Sequence, residues 1–183
     1  MFRVEHTVLQ QNARAAGRAK ITFRAVNRRG TPEYDPALQR HHLLPRQLLT
    51  RRCFGSMFSS IGRDRVGFDD FRTNGLLLPA TDDATMRTGM PLHRGPHRRY
   101  NEVVIERVGR IEARWAQAVS DDRETAGREA VDRLSLLQAA LRRRLLRARR
   151  RLLLNRKDPL GTGYDFGELD AMAEHLWQST TSG

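Results

Sequence analysis

The chain has 183 residues, 39% of them hydrophobic and 30% charged, which suits a globular domain with a core of its own. No apolar run approaches the roughly 20 residues that span a bilayer, so we expect no membrane partner. The first residues contain no apolar signal region, so we expect a cytoplasmic protein unless a specialised secretion system exports it. The single cysteine, Cys53, excludes an internal disulfide and a cysteine-rich zinc site.

The formal net charge is +12, and all but two of the 33 basic residues are arginines. Guanidinium groups form bidentate hydrogen bonds with phosphates and stack on bases, so this charge favours a polyanionic partner. A biased genome composition would load the chain with arginine in the same way. Composition therefore favours a nucleic-acid partner, but it does not separate a nuclease from a passive binding protein.

The N-terminal part of the chain shows little periodicity. Residues 1–30 are basic and poor in large apolar groups, which predicts a flexible leader. A turn-rich stretch, residues 31–36, separates this leader from a short extended element over residues 38–45. Residues 46–62 then carry apolar side chains at roughly helical spacing.

The middle of the chain combines turn chemistry with a short apolar strand. The Asn74-Gly75 pair tolerates the left-handed conformation of a tight reversal, so it predicts a turn. Residues 76–79 predict the strand that follows. Residues 80–92 predict a loop with a short helical turn.

The C-terminal half predicts three helices. The first opens at Gly95-Pro96, and its amphipathic stripe consists of Val104, Val108, Ile111, Trp115 and Val119. The second covers residues 123–153, with a leucine face of Leu134, Leu137, Leu141 and Leu145. The third covers residues 166–177. The second helix could clamp nucleic acid or pair with another subunit, but a buried leucine face with solvated arginines is the simplest interpretation.

Four of the six histidines lie in two tight clusters, His41-His42 and His93-x-x-x-His97. Neutral imidazole is a ligand for divalent metals and a base with a pKa near neutrality. Adjacent strand residues point to opposite faces, so one of His41 and His42 could face a metal and the other a water molecule. Residues at i and i+4 share a helix face, so His93 and His97 could reach one ion. Pro96 places His93 just before the regular helix, so we expect this pair to be part loop and part helix. The two clusters together indicate metal-assisted hydrolysis of a phosphodiester.

Three ordered blocks of the sequence resemble the AHH family of the HNH/endonuclease VII superfamily. The blocks are residues 40–45 (RHHLLP), 74–79 (NGLLLP) and 92–100 (LHRGPHRRY). The resemblance covers about residues 38–108. Arg40 stands where the family pattern has alanine.

The resemblance implies a ββα-metal finger, in which a β-hairpin carries the His-His pair and a following helix carries metal ligands. By this analogy His41, His93 and His97 would ligate one divalent ion, which could be Mg²⁺, Zn²⁺, Mn²⁺ or Ni²⁺. His42 would be the general base that activates water. Asn74 would support catalysis by tying the loop to the hairpin and holding the base in register. The roles of His41 and His42 could be exchanged, because the sequence does not decide between them.

The expected fold class is α+β and mostly α, with an HNH-like hairpin-and-helix metal finger inside a helical domain. C-terminal amphipathic helices complete it. The expected domains are the leader over 1–30, a nuclease core over 31–120 and a helical extension over 121–183. The candidates for binding the phosphates of a nucleic acid are Arg40, Arg94, Arg98 and Arg99.

The leading hypothesis is a metal-dependent endonuclease that hydrolyses DNA, with RNA as an alternative substrate. The competing hypothesis is a non-catalytic nucleic-acid-binding module in which the same histidines hold a structural zinc. Three histidines without a cysteine suit an open catalytic site better than a closed structural one. Members of the resembled family include bacterial toxin modules, so an immunity protein is the expected partner if this chain is a toxin.

Overall fold

The computed structural model describes residues 19–147 and, beyond them, residues 152, 154, 155, 157–160 and 171. The predicted helix over 166–177 therefore lies outside the described residues, except for Ala171. Helices that combine the length and the apolar character needed to cross a membrane are absent from the described part of the chain.

The described residues form two strands, six α-helices and two short 3-10 helices. The strands are β1 (Leu38–His42) and β2 (Gly75–Pro79). The α-helices are α1 (Arg52–Ile61), α2 (Arg63–Val66), α3 (Phe71–Asn74), α4 (Asp82–Thr88), α5 (Arg98–Ala118) and α6 (Arg123–Leu146). The 3-10 helices are Phe23–Ala25 and Arg46–Thr50.

A small antiparallel sheet of β1 and β2 lies within this mostly helical fold, which confirms the predicted fold class. The register runs from Leu38 opposite Pro79 to His42 opposite Gly75. Residues 43–74 separate the two strands, so they do not form a tight hairpin. The strand pair instead brings the His-His segment beside a distant part of the chain.

The Asn74-Gly75 pair does not form the predicted left-handed turn. Asn74 is the last residue of α3, and Gly75 is extended with a φ of −117°. A Cβ atom at position 75 would overlap the ring of Phe71. Glycine is required here because the ring approaches the backbone closely, and not because of a positive φ.

Helices α5 and α6 pack against each other and against α1 around one hydrophobic core. The predicted stripe of α5 is confirmed, since Val104, Val108, Ile111 and Trp115 are buried and Val119 is partly buried. The predicted leucine face of α6 lies in the same core. The predicted end of this helix at residue 153 is wrong, because α6 ends at Leu146.

Residues 19–30 differ from the predicted flexible leader because they are bonded to the core. Thr22 forms a β-bridge with Asp70, and the carbonyl of Ile21 accepts a 2.7 Å hydrogen bond from the amide of Phe71. The Asn27 side chain donates to two backbone carbonyls farther along the chain. Residues 1–18 lie outside the described residues. The predicted domain divisions at residues 30 and 120 stay predictions.

Candidate metal centre

Strand β1 and the loop before α5 bring three histidine rings together. The ring centroid of His41 lies 5.0 Å from that of His93 and 5.7 Å from that of His97. The centroids of His93 and His97 are 4.3 Å apart. One ring nitrogen of each residue lies within 4.8 Å of those of the other two. This is the residue set that the family resemblance implies for the metal, and it could hold one ion.

Two of these rings are held through their Nδ1 atoms. His93 Nδ1 lies 3.1 Å from Gln39 Oε1, and His97 Nδ1 lies 3.4 Å from the carbonyl oxygen of Leu154. Because both oxygens only accept hydrogen bonds, each Nδ1 carries the proton and each Nε2 keeps a lone pair. Histidines that bind metals characteristically donate their other N–H to such an oxygen.

His41 supplies the clearest sign that the cluster fits a metal ion. Its side chain is 3% exposed, and its Nε2 atom is buried without a hydrogen-bond partner among the described residues. Leaving such a nitrogen unpaired costs about 1–3 kcal/mol. Because the ring lies against His93 and His97, a divalent ion bound by the cluster would provide the missing partner.

The protonation state of the cluster also suits a metal. Burial lowers the pKa of His41 well below its usual range, and the neighbouring histidines lower it further. Burial, followed by repulsion from His97, lowers the pKa of His93 to about 4. Burial also lowers the pKa of His97. All three rings are therefore neutral at pH 7, which is the form that ligates a metal.

The helix predicted to open at Gly95-Pro96 begins later, so both His93 and His97 precede its regular part. Helix α5 begins at Arg98, and His97 is its N-cap. The amide of His93 donates a 2.6 Å hydrogen bond to the carbonyl of Pro79 at the end of β2. Gly95 has a φ of +74°, a conformation that favours glycine. The two histidines thus meet through a turn anchored on β2 and not through the i, i+4 spacing of a helix.

His42 lies in different surroundings from His41. Its ring stacks on that of Phe23, with centroids 3.7 Å apart and an interplanar angle of 5°. The ring of Phe71 contacts the ring of Phe23 edge-on. Burial lowers the pKa of His42 to about 4, and the charge of Arg46 contributes. The alternation of side chains along β1 explains why neighbouring histidines differ in this way. Sequence reasoning missed Phe23 because it lies in the stretch interpreted as a leader.

Asn74 is fully buried, and both ends of its side-chain amide are bonded. Its Oδ1 accepts from the amide of Leu44 at 2.7 Å and from Gln138 Nε2 at 3.3 Å. Its Nδ2 donates to the carbonyls of Leu44 and Phe68, both at 3.1 Å. We therefore interpret Asn74 as a positioning residue. Sequence reasoning missed Gln138, although a glutamine inside a leucine-rich helix face was a usable signal.

Tyr100 supports the cluster from inside the core. Its hydroxyl donates a 2.7 Å hydrogen bond to the carbonyl of Leu43, and its ring centroid lies 5.0 Å from that of His41. Burial raises the pKa of this hydroxyl, so the hydroxyl keeps its proton and the bond. The backbone directly after the His-His pair is thereby held to α5.

The four arginines predicted to grip phosphates are exposed. They are Arg40, Arg94, Arg98 and Arg99. Arg40 donates to the carbonyl of Phe23 at 2.8 Å, and Arg94 forms a 2.6 Å ion pair with Asp82. Arg98 and Arg99 are the first residues of α5, directly after His97. The phosphate-binding role of these four arginines stays a prediction.

The comparison with protein families finds a match that covers most of the chain. The model of AHH, described as a nuclease family of the HNH/ENDO VII superfamily with conserved AHH, matches residues 22–140. No curated protein and no solved structure matches the chain. The family match contains both strands, all four clustered histidines and most of α6, and it extends beyond the resemblance at both ends. The chain belongs to the AHH family of nucleases, in which the substrate is nucleic acid.

Proposed function

We propose that this nuclease is an endonuclease that hydrolyses the phosphodiester bonds of DNA with the help of one divalent ion. The observation that carries the proposal is the cluster of His41, His93 and His97, in which the buried Nε2 of His41 has no hydrogen-bond partner among the described residues. Three protein ligands leave a coordination position open for water or for a phosphate oxygen, as in catalytic metal sites.

In this proposal the two histidines of β1 have different roles, metal binding for His41 and proton transfer for His42. His41 holds the ion together with His93 and His97. A bound ion would supply positive charge to the phosphorane and to the leaving oxygen. His42, whose pKa is about 4, is neutral at pH 7 and can accept a proton from the attacking water. The stack on Phe23 fixes the plane of this ring.

The alternative is a binding module in which the same histidines hold a structural zinc. Closed structural sites have four protein ligands, commonly including cysteines. The cluster found among the described residues has three histidines and neither a cysteine nor a carboxylate. The open catalytic site is therefore favoured.

The proposal is tested by incubating the purified protein with supercoiled plasmid and Mg²⁺, Mn²⁺, Zn²⁺ or Ni²⁺. We expect metal-dependent nicking that EDTA abolishes. We also expect His42→Ala to lower the rate by at least about 100-fold, as loss of a general base does. The same variant should keep its affinity for metal, because its ring is not in the cluster.

The matched control is His6→Ala, which removes a histidine outside the motif blocks and should nick at the wild-type rate. An RNA substrate of equal length, tested in parallel, decides the preferred nucleic acid. Wild-type activity of His42→Ala would contradict the assigned base. A metal-dependent rise in melting temperature without nicking under any ion would favour the binding module.

A further inference from the structure

A segment near the C-terminus contacts the loop that carries two of the clustered histidines. We call residues 92–97 the metal loop, and we call the described residues among 152–158 the C-terminal strap. The strap lies outside the family match, which ends at residue 140.

The strap makes three hydrogen bonds to the metal loop. Asp158 Oδ2 accepts from the amide of Leu92 at 2.7 Å. Asn155 Nδ2 donates to the carbonyl of Arg94. The carbonyl of Leu154 accepts a hydrogen bond from His97 Nδ1. The bonds reach the beginning, the middle and the end of the loop, so they restrain its whole path.

The strap is itself anchored to the core. The side chains of Leu152 and Leu154 are 1% and 4% exposed and belong to the hydrophobic core. The amide of Leu152 donates to the carbonyl of Arg144 near the end of α6 at 3.2 Å. The strap thus connects α6 to the metal loop.

Asp158 is the best-defined member of the strap. It is 6% exposed, and its second oxygen, Oδ1, accepts from the amide of Leu160 at 2.9 Å. Hydrogen bonds from an amide to a carboxylate are shorter and stronger than those between neutral groups. Leu92 is fully buried and directly precedes His93, so the carboxylate fixes the backbone on which that ligand is carried.

We propose that Asp158 is a positioning residue for the metal centre and that the C-terminal strap sets the affinity of this centre for its ion. The inference rests on the proposed function only in taking the histidine cluster as a metal site. Loss of a partner that orients a metal ligand typically weakens metal binding by about 10–100-fold. We therefore expect Asp158→Ala to raise the dissociation constant for Zn²⁺ by at least about 10-fold.

The experiment measures Zn²⁺ binding to the full chain by calorimetric titration. The visible absorption spectrum of bound Co²⁺ reports the geometry of the ligands in parallel. Asp158→Asn keeps one acceptor oxygen and should lie between the wild type and Asp158→Ala. The matched control is Asp122→Ala, which removes the exposed N-cap of α6 and so lowers stability away from the metal loop. Its Zn²⁺ affinity should stay within about twofold of the wild type.

The outcomes separate this inference from the proposed function. A Zn²⁺ affinity of Asp158→Ala within about threefold of the wild type would overturn the inference, as would an equal loss in Asp122→Ala. If Asp158→Ala does not fold, Asn155→Ala takes its place under the same threshold. A wild type that binds Zn²⁺ but never nicks plasmid would refute the proposed hydrolysis, and the dissociation constants would still decide the role of the strap.

Discussion

Asn74 illustrates how a single buried side chain can join three parts of this fold. Its amide bonds the segment after β1, the carbonyl of Phe68 and Gln138 of α6. Its own backbone also bonds this segment, since its carbonyl accepts from the amide of Leu43 at 2.8 Å. The residues just after the His-His pair are therefore held from two sides by one residue.

Replacement of Asn74 should destabilise the protein strongly. Asn74→Ala leaves the buried amide and carbonyl of Leu44 without partners, and each such group costs about 1–3 kcal/mol. We expect the free energy of unfolding, measured with urea, to fall by about 2–5 kcal/mol. Asn74→Asp, which cannot donate to Leu44 or Phe68, should also be destabilised. The control is Asn101→Ala, at a partly exposed position of α5, and its free energy of unfolding should change by no more than about 0.5 kcal/mol. An equal loss of stability in Asn101→Ala would contradict the interpretation of Asn74.

Phe23 should matter for hydrolysis and not for metal binding. Its ring stacks on His42, so Phe23→Leu frees the proposed base to rotate away from the water. Misplacement of a catalytic group can cost up to about 100-fold in rate, and we expect a 10- to 100-fold slower nicking rate, as rough bounds. Phe23→Tyr keeps the stack and should nick at nearly the wild-type rate. A Zn²⁺ affinity lowered in parallel with the rate would show that Phe23 acts through the cluster instead.

At this scale the sequence predicted the residues that carry chemistry better than those that position them. His41, His93 and His97 were predicted to share an ion, and the structure brings them together. The partners of these rings could not be predicted, because the contacts of Gln39 and Leu154 depend on tertiary packing. The separation of two residues along the sequence does not show whether they form such a contact.

The two long helices were the most predictable elements, because a buried face repeats along a helix with a regular period. The apolar stripe of α5 and the leucine face of α6 both lie in the core. The end of α6 was less predictable, since the arginine-rich sequence continues past Leu146 without a helix-breaking residue. The strand pair was the least predictable, because residues 43–74 intervene and register is set by the packing of the helices between.

The leucine face of α6 should contribute to stability in proportion to its burial. Leu134 is 0% exposed, so Leu134→Ala leaves a cavity in the core shared with α5 and α1. We expect a loss of about 2–5 kcal/mol in urea unfolding, with an unchanged dependence on urea concentration. Leu146, on the same helix, is 50% exposed and supplies the control. Leu146→Ala should change stability by less than about 0.5 kcal/mol, and similar losses in both variants would contradict this packing.

For the whole molecule, the histidine cluster connects parts of the chain that are far apart in sequence. A metal bound there should stabilise the folded state, since the unfolded chain does not hold the three rings together. At a free Zn²⁺ concentration 100 times the dissociation constant, we expect a gain of about 2.7 kcal/mol in the free energy of unfolding. His41→Ala should lose this gain and His42→Ala should keep it. An undiminished gain in His41→Ala would place the ion elsewhere.

The long separation of β1 from β2 has a consequence for the order of folding. Closing a loop of residues 43–74 costs about 3 kcal/mol of chain entropy before the strands gain any hydrogen bond. Contacts of such range form late, whereas α5 and α6 are neighbours in sequence and can associate early. We expect the metal ligands to meet only after the strands have paired, so that a bound ion slows unfolding more than it speeds folding.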